Sequence, residues 1–216
     1  MTGYDFSLAG ARLTALGSGA LWWTAQRLLC VSDLHLGKSE RHARRGGSAL
    51  PPYETRDTLA RLSDLVSALQ PETVVCLGDS FDDDAASRAL PDAEQSQLAA
   101  LTQNRRWIWI TGNHDPAPTG LGGEQMDELY LSPLTFRHIA NPSATAEVSG
   151  HYHPKARVRS TSRPCFLLDR SRLILPAFGT YTGGLRSTDP ALAALMERDA
   201  LAILTGAQAL PVPMPR

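Results

Sequence analysis

Four short groups of residues carry the chemistry of this chain: Asp33-Leu34-His35, Gly78-Asp79-Ser80-Phe81-Asp82, Gly112-Asn113-His114-Asp115 and Gly150-His151-Tyr152-His153. Each follows an apolar run, such as Leu28 to Val31 or Val74 to Leu77. Taken singly, each reads as an ordinary strand-end turn. Four in this order are not a chance arrangement. Carboxylate, amide oxygen and imidazole together suit a pair of divalent transition metals such as Mn, Fe, Zn or Co. Two close metals activate a water and clamp both ends of an in-line displacement at phosphorus. The residues therefore point to metal-dependent phosphoester hydrolysis.

The elements that must position them can be read from periodicity. The first thirty residues read as short strands separated by turns, Gly17-Ser18-Gly19 the clearest. A strand ending at Val31 delivers the first group. A polar, basic loop from Lys38 to Ser48 follows, and then a helix over 54–69, where Leu59, Leu62, Leu65, Val66 and Leu69 recur at helical spacing. A buried strand over 73–77 carries the second group. A helix over 92–102 leads to the strand Trp107–Ile110 and the third. Strand-helix-strand-helix-strand order predicts an α/β fold with parallel strands, and in such sheets sites form beyond the carboxyl ends of the strands. Short strands are expected around 134–138, 146–149, 165–168 and 172–175, then a helix near 190–198 and a strand near 200–204. The proline-rich tail 211–216 reads as loose, and no linker divides residues 1–216, so one domain is expected.

Composition narrows the class. A chain of 216 residues with a formal net charge of −1 has no global basic field, so contacts with nucleic acid must come from local clusters. Two exist: Lys38, Arg41, Arg44 and Arg45 after the first group, and Lys155, Arg157, Arg159 and Arg163 after the last. Both flank the expected metal site, which brings phosphate-backbone contacts level with the alternative of a solvated face. Cys30, Cys76 and Cys165 lack metal-type spacing and read as reduced core thiols. The opening residues lack a basic start and an apolar stretch of the kind a secretion signal needs, and no run approaches a membrane span. The expectation is a soluble cytoplasmic protein without membrane contact.

The four groups resemble the calcineurin-like metallophosphoesterase superfamily, whose motifs read D-x-H, G-D-x-x-D, G-N-H-[DE], a lone His and G-H-x-H. The segments 32–38, 107–116, 149–154 and 175–184 are similar to the PdeM group, ligase-associated DNA damage response endonucleases encoded beside a DNA ligase and a helicase. The resemblance implies a four-layer sandwich of two mixed β-sheets flanked by helices. It implies one metal on Asp33, His35, Asp79 and His153, and a second on Asp79, Asn113, His151 and a lone histidine, for which His138 is the candidate. Asp79 would bridge them, with Mn the first expectation and Fe, Zn, Co or Ni the alternatives. Asp82 would orient a ligand histidine, and His114, assisted by Asp115, would protonate the leaving group. Asp83 stands where that group has histidine, and it reads, like Asp84 and His42, as solvated. The leading expectation is a DNA phosphodiesterase, with DNA ligase and helicase as implied partners. A small-molecule or cyclic-nucleotide phosphoesterase is the alternative within enzymes. A non-catalytic scaffold of the same fold is the alternative outside them, disfavoured because every expected position is filled.

Overall fold

The computed structural model describes residues 2–46, 51, 53–114 and 121–216. Strand β4 (Leu28–Val31) is buried along its whole length, as is β5 (Thr73–Leu77) beyond its first residue. They pair in parallel with each other, and β5 pairs likewise with β6 (Arg106–Ile110). Alternation sorts their side chains onto two faces. Leu28, Cys30, Val75, Leu77, Ile108 and Ile110 point into one core, while Leu29, Val31, Val74, Cys76, Trp107 and Trp109 point into another. Helix α2 (Glu54–Leu69) closes the second core with Leu59, Leu62, Leu65 and Val66, and α4 (Asp92–Thr102) adds Leu98 and Leu101. The first core is closed by a second sheet, through Phe136, Val148, Phe166, Leu173 and Ile203.

The first sheet runs β1 (Gly3–Leu8), β2 (Ala11–Leu16), β3 (Leu21–Trp23), β4, β5, β6 and β7 (Glu124–Met126). Strands β1 to β4 pair antiparallel, and β4 to β7 pair in parallel. The second runs, in space, β15 (Leu210–Pro213), β14 (Leu201–Leu204), β12 (Thr161–Leu168), β13 (Arg172–Ile174), β10 (Glu147–Ser149), β9 (Leu134–Arg137) and β8 (Glu128–Leu131), with β11 (Lys155–Val158) paired to β12. A third core under this sheet packs Cys165, Leu167, Ile174 and Ala202 against Leu192 of α5 (Pro190–Leu195). Helix, sheet, sheet, helix are thus the layers expected. All three cysteines are buried and in no disulfide among the described residues.

Two expectations are corrected. The segment after His35 is not a loop throughout: Lys38–Arg44 is a helix, α1. Of its residues only Ser39 is buried, so it carries no apolar periodicity to betray it. The tail is not loose either. Pro211 and Pro213 sit in an edge strand, the place where a sheet tolerates them. Here β15 pairs with β14 and Met214 is buried. Helix α3 (Asp84–Arg88) was also not foreseen. Among the described residues no helix is long and apolar enough to cross a membrane.

Candidate metal centre

The loops that leave β4 and β5 stay paired beyond the strands. His35 N–H donates to the Asp79 carbonyl (2.9 Å), Leu36 N–H to that of Ser80 (3.0 Å), and Asp82 N–H to that of Leu36 (3.0 Å). The segment after β13 lies along the first of these loops, with Phe178 N–H on the Ser32 carbonyl and Gly179 N–H on that of Asp33. Gly150 N–H donates to the His138 carbonyl (2.9 Å) and draws the two histidine segments together. Asp33, His35, Asp79, His151 and His153 all have positive φ, between 46° and 71°. Side chains other than glycine adopt this conformation at a cost, and where the surroundings enforce it the residues cluster at functional sites.

Their atoms form two groups. In one, the donor atoms of Asp33, His35 and His153 lie within 4.8 Å of one another; in the other, those of Asp79, His138 and His151 do. Asp33 Oδ2 accepts from Ser32 Oγ (2.5 Å) and His151 N–H (3.0 Å). Its other oxygen, Oδ1, is buried, accepts no hydrogen bond and lies 3.1 Å from His153 Nε2. Burial alone would raise the Asp33 pKa, but His153, His138 and Ser32 outweigh it and lower it. His35 has Nδ1 2.9 Å from Asp82 Oδ1, which leaves Nε2 facing His153 Nε2 at 3.4 Å. Burial works against the Asp82 charge as well; His35 and Arg41 more than compensate and hold its carboxyl well below the usual range.

In the second group His138 Nδ1 lies 2.7 Å from the Leu77 carbonyl, an acceptor only, so Nδ1 carries the proton. Nε2 then faces Asn113 Oδ1 at 2.9 Å, His151 Nδ1 at 3.3 Å and Asp79 Oδ2 at 3.5 Å. Burial disfavours charge on His138, yet Asp79 and Asp33 raise its pKa; His151 is lowered by burial and by His138. Asp79 holds the middle. Its Oδ1 accepts from His114 N–H (2.9 Å), while Oδ2 is 4.0 Å from Nε2 of both His35 and His114. Burial again opposes its charge, and the His138 and His114 contacts lower it to about 2. Acceptors that converge on acceptors, with an orphaned buried oxygen among them, are what a divalent cation satisfies. Oxygen and imidazole donors in these proportions suit transition metals.

Two glycines permit this approach. A Cβ on Gly78 would strike the His138 ring, and one on Gly150 would strike Ser32 Oγ and Asp33 Oδ2. Gly150→Ala is therefore expected to lower the melting temperature by an overpacking cost of about 1–3 kcal/mol and to reduce metal retention. Thermal denaturation with and without added metal checks it.

A cleft of about 470 Å³ opens beside the first group, lined by His35, His153, His114, Gly183, Asp82 and one face of α1. That face presents Lys38, Arg41 and His42, with Arg45 at the C-terminal cap just beyond, positions one helical stripe brings together. Arg41 is spent on Asp82 (2.8 Å) and Asp83 (3.5 Å), and Lys38 Nζ is 3.9 Å from Asp82. Arg44 turns away, bound to Glu40 and Asp83. Arg45 has no charge partner among the described residues. Asp83 departs from the solvated reading: it caps α3, accepting from Ala86 N–H (2.7 Å). His42 is exposed, as expected, and lines the cleft. The helix hid the stripe, whose spacing would have included His42. Lys155 and Arg157 do not line the cleft; they bond to the carbonyls of Thr182 and Arg159. Asp115 lies outside the described residues.

Two mixed sheets with helices outside, and clustered carboxylate, amide and imidazole donors at their junction, define a metal-dependent phosphoesterase. The chain belongs to the calcineurin-like phosphoesterase family, whose sequence profile matches residues 26–170. Among solved structures it is similar to the Pseudomonas putida nuclease MPE, at 30% identity over 97% of this chain and 100% of that one, with a TM-score of 0.78. Yfce, a phosphoesterase from E. coli, aligns at 14% identity over 87% of this chain and 99% of that one, with a TM-score of 0.44. No curated protein matches at a significant level.

Proposed function

We propose that this protein is a two-metal phosphodiesterase that cuts DNA, with Asp33, His35, Asp79 and His153 holding one cation and Asp79, Asn113, His138 and His151 the other. The observation that carries this reading is Asp79, whose Oδ2 faces both donor groups at once. The nuclease activity named for the P. putida structure supports the choice of a polynucleotide, as does the basic stripe on α1. Bound cations would activate water and neutralise charge on the phosphorane-like transition state. His114, 35% exposed at the cleft, is placed to hand a proton to the departing oxygen. Asp82 fixes the His35 tautomer, so that Nε2 is the free donor. Lys38 and Arg45 would hold a phosphate next to the one being cut.

The test is hydrolysis of linear single-stranded DNA, nicked plasmid, cyclic nucleotides and bis(p-nitrophenyl) phosphate with and without Mn. Metal-dependent cleavage of the DNA substrates is expected. Activity confined to the small esters would defeat the DNA reading and leave the phosphoesterase one. Within the DNA reading, Arg45→Ala should weaken single-stranded DNA binding and reduce its salt dependence by about one counterion, because one phosphate is no longer neutralised. Binding titrations across a range of salt concentrations measure that slope.

A further inference from the structure

The two sides of the metal centre differ in charge. On the side of the first donor group the cleft wall carries Lys38, Arg41, His42 and Arg45. On the side of the second, a shallow hollow borders Asn113 and His138 and is edged by Asp127, Glu128 and Ile139. Asp127 and Glu128 are exposed, and Ile139 is 45% exposed. Arg137 also borders this hollow, but it is held by Glu128 (3.0 Å) and the buried Glu147 (3.3 Å), which leaves no net positive charge there. A polyanion centred over Asp79 meets cations in one direction and carboxylates in the other.

We infer that the site grips a nucleic-acid strand on one side only. The phosphate flanking the scissile one lies along α1, against Arg45, Lys38 and His42, while the hollow at Asp127, Glu128 and Ile139 takes an uncharged nucleoside. This rests on the DNA reading above and specifies it further. Helix α1 and its C-terminal cap separate Lys38 from Arg45 by about 10 Å, enough to meet one or two successive phosphates. The carboxylates opposite oppose any third, since like charges at an interface are costly.

The test uses metal-loaded full-length protein and single-stranded oligonucleotides with one neutral methylphosphonate linkage, placed in turn on each side of the cut. Products are sorted by the kind of end they carry, and the comparison is made within one kind. Neutralising the linkage on the α1 side should lower kcat/KM about tenfold, the worth of one charge-assisted contact. Neutralising the opposite linkage should leave it unchanged or raise it. Arg45→Ala should flatten the difference, and Asp127→Asn/Glu128→Gln should abolish any gain on the second side. Equal losses on both sides, or none on either, with DNA still cleaved, would overturn the one-sided grip alone. No cleavage of unmodified DNA, with bis(p-nitrophenyl) phosphate still hydrolysed, would overturn both it and the DNA reading.

Discussion

Asp79→Asn is expected to reduce turnover of every substrate to background, the largest effect of any single side chain. The variant keeps Oδ1 for the His114 N–H, so the backbone that presents His114 should hold. It removes the anionic oxygen that faces His138 at 3.5 Å and His35 at 4.0 Å. With a neutral amide there, two cations would face each other without the charge between them neutralised. Elemental analysis after gel filtration should therefore show a fall in metal content, with circular dichroism unchanged. A variant that keeps full metal content and appreciable activity would refute the bridging role.

His114→Asn should separate from this cleanly. His114 lies beside the metal groups rather than within them, its ring centre 5.6 Å from that of His35 and its Nε2 4.0 Å from Asp79 Oδ2. Metal content should persist. If it donates the proton to the leaving oxygen, kcat on a DNA phosphodiester should fall by about 10²–10⁴-fold. A p-nitrophenolate leaves without protonation, so the same variant should lose far less on bis(p-nitrophenyl) phosphate. Equal losses on the two substrates would show that His114 contributes through charge or positioning and not through proton transfer.

The parts of this molecule that bury two faces were legible in its sequence. The continuous apolar runs at β4, β5 and β6 and the helical spacing of leucines in α2 leave little choice of structure, and α2, β5 and α4 begin and end where periodicity places them. The donor residues were legible because types and order are distinctive. Elements stabilised by charge or by an edge were not. Helix α1 leans on Asp82 and Asp83 through Arg41 and Arg44, residues some forty positions away. Strand β15 exists because β14 offers it an edge. The positive φ of the donor residues is likewise invisible in their types, since Asp and His adopt it only when neighbours enforce it.

The first sheet is built from residues before Asp127 and the second from residues after it. Asp33, His35 and Asp79 therefore reach the centre from one sheet, and His138, His151 and His153 from the other. Neither donor group is complete on one side of the seam, so any cation held there stitches the two sheets together. During synthesis the N-terminal half can present carboxylates but no finished coordination sphere, and capture of the metal must wait for the second sheet to dock. Chelation should accordingly loosen the seam. The melting temperature should fall on treatment with EDTA and recover with added metal, each site contributing about 2.7 kcal/mol of stability when free metal stands a hundredfold above its dissociation constant. Amide exchange should then rise first at the loops bearing His138 and His151, while α2 behind the first sheet keeps its protection.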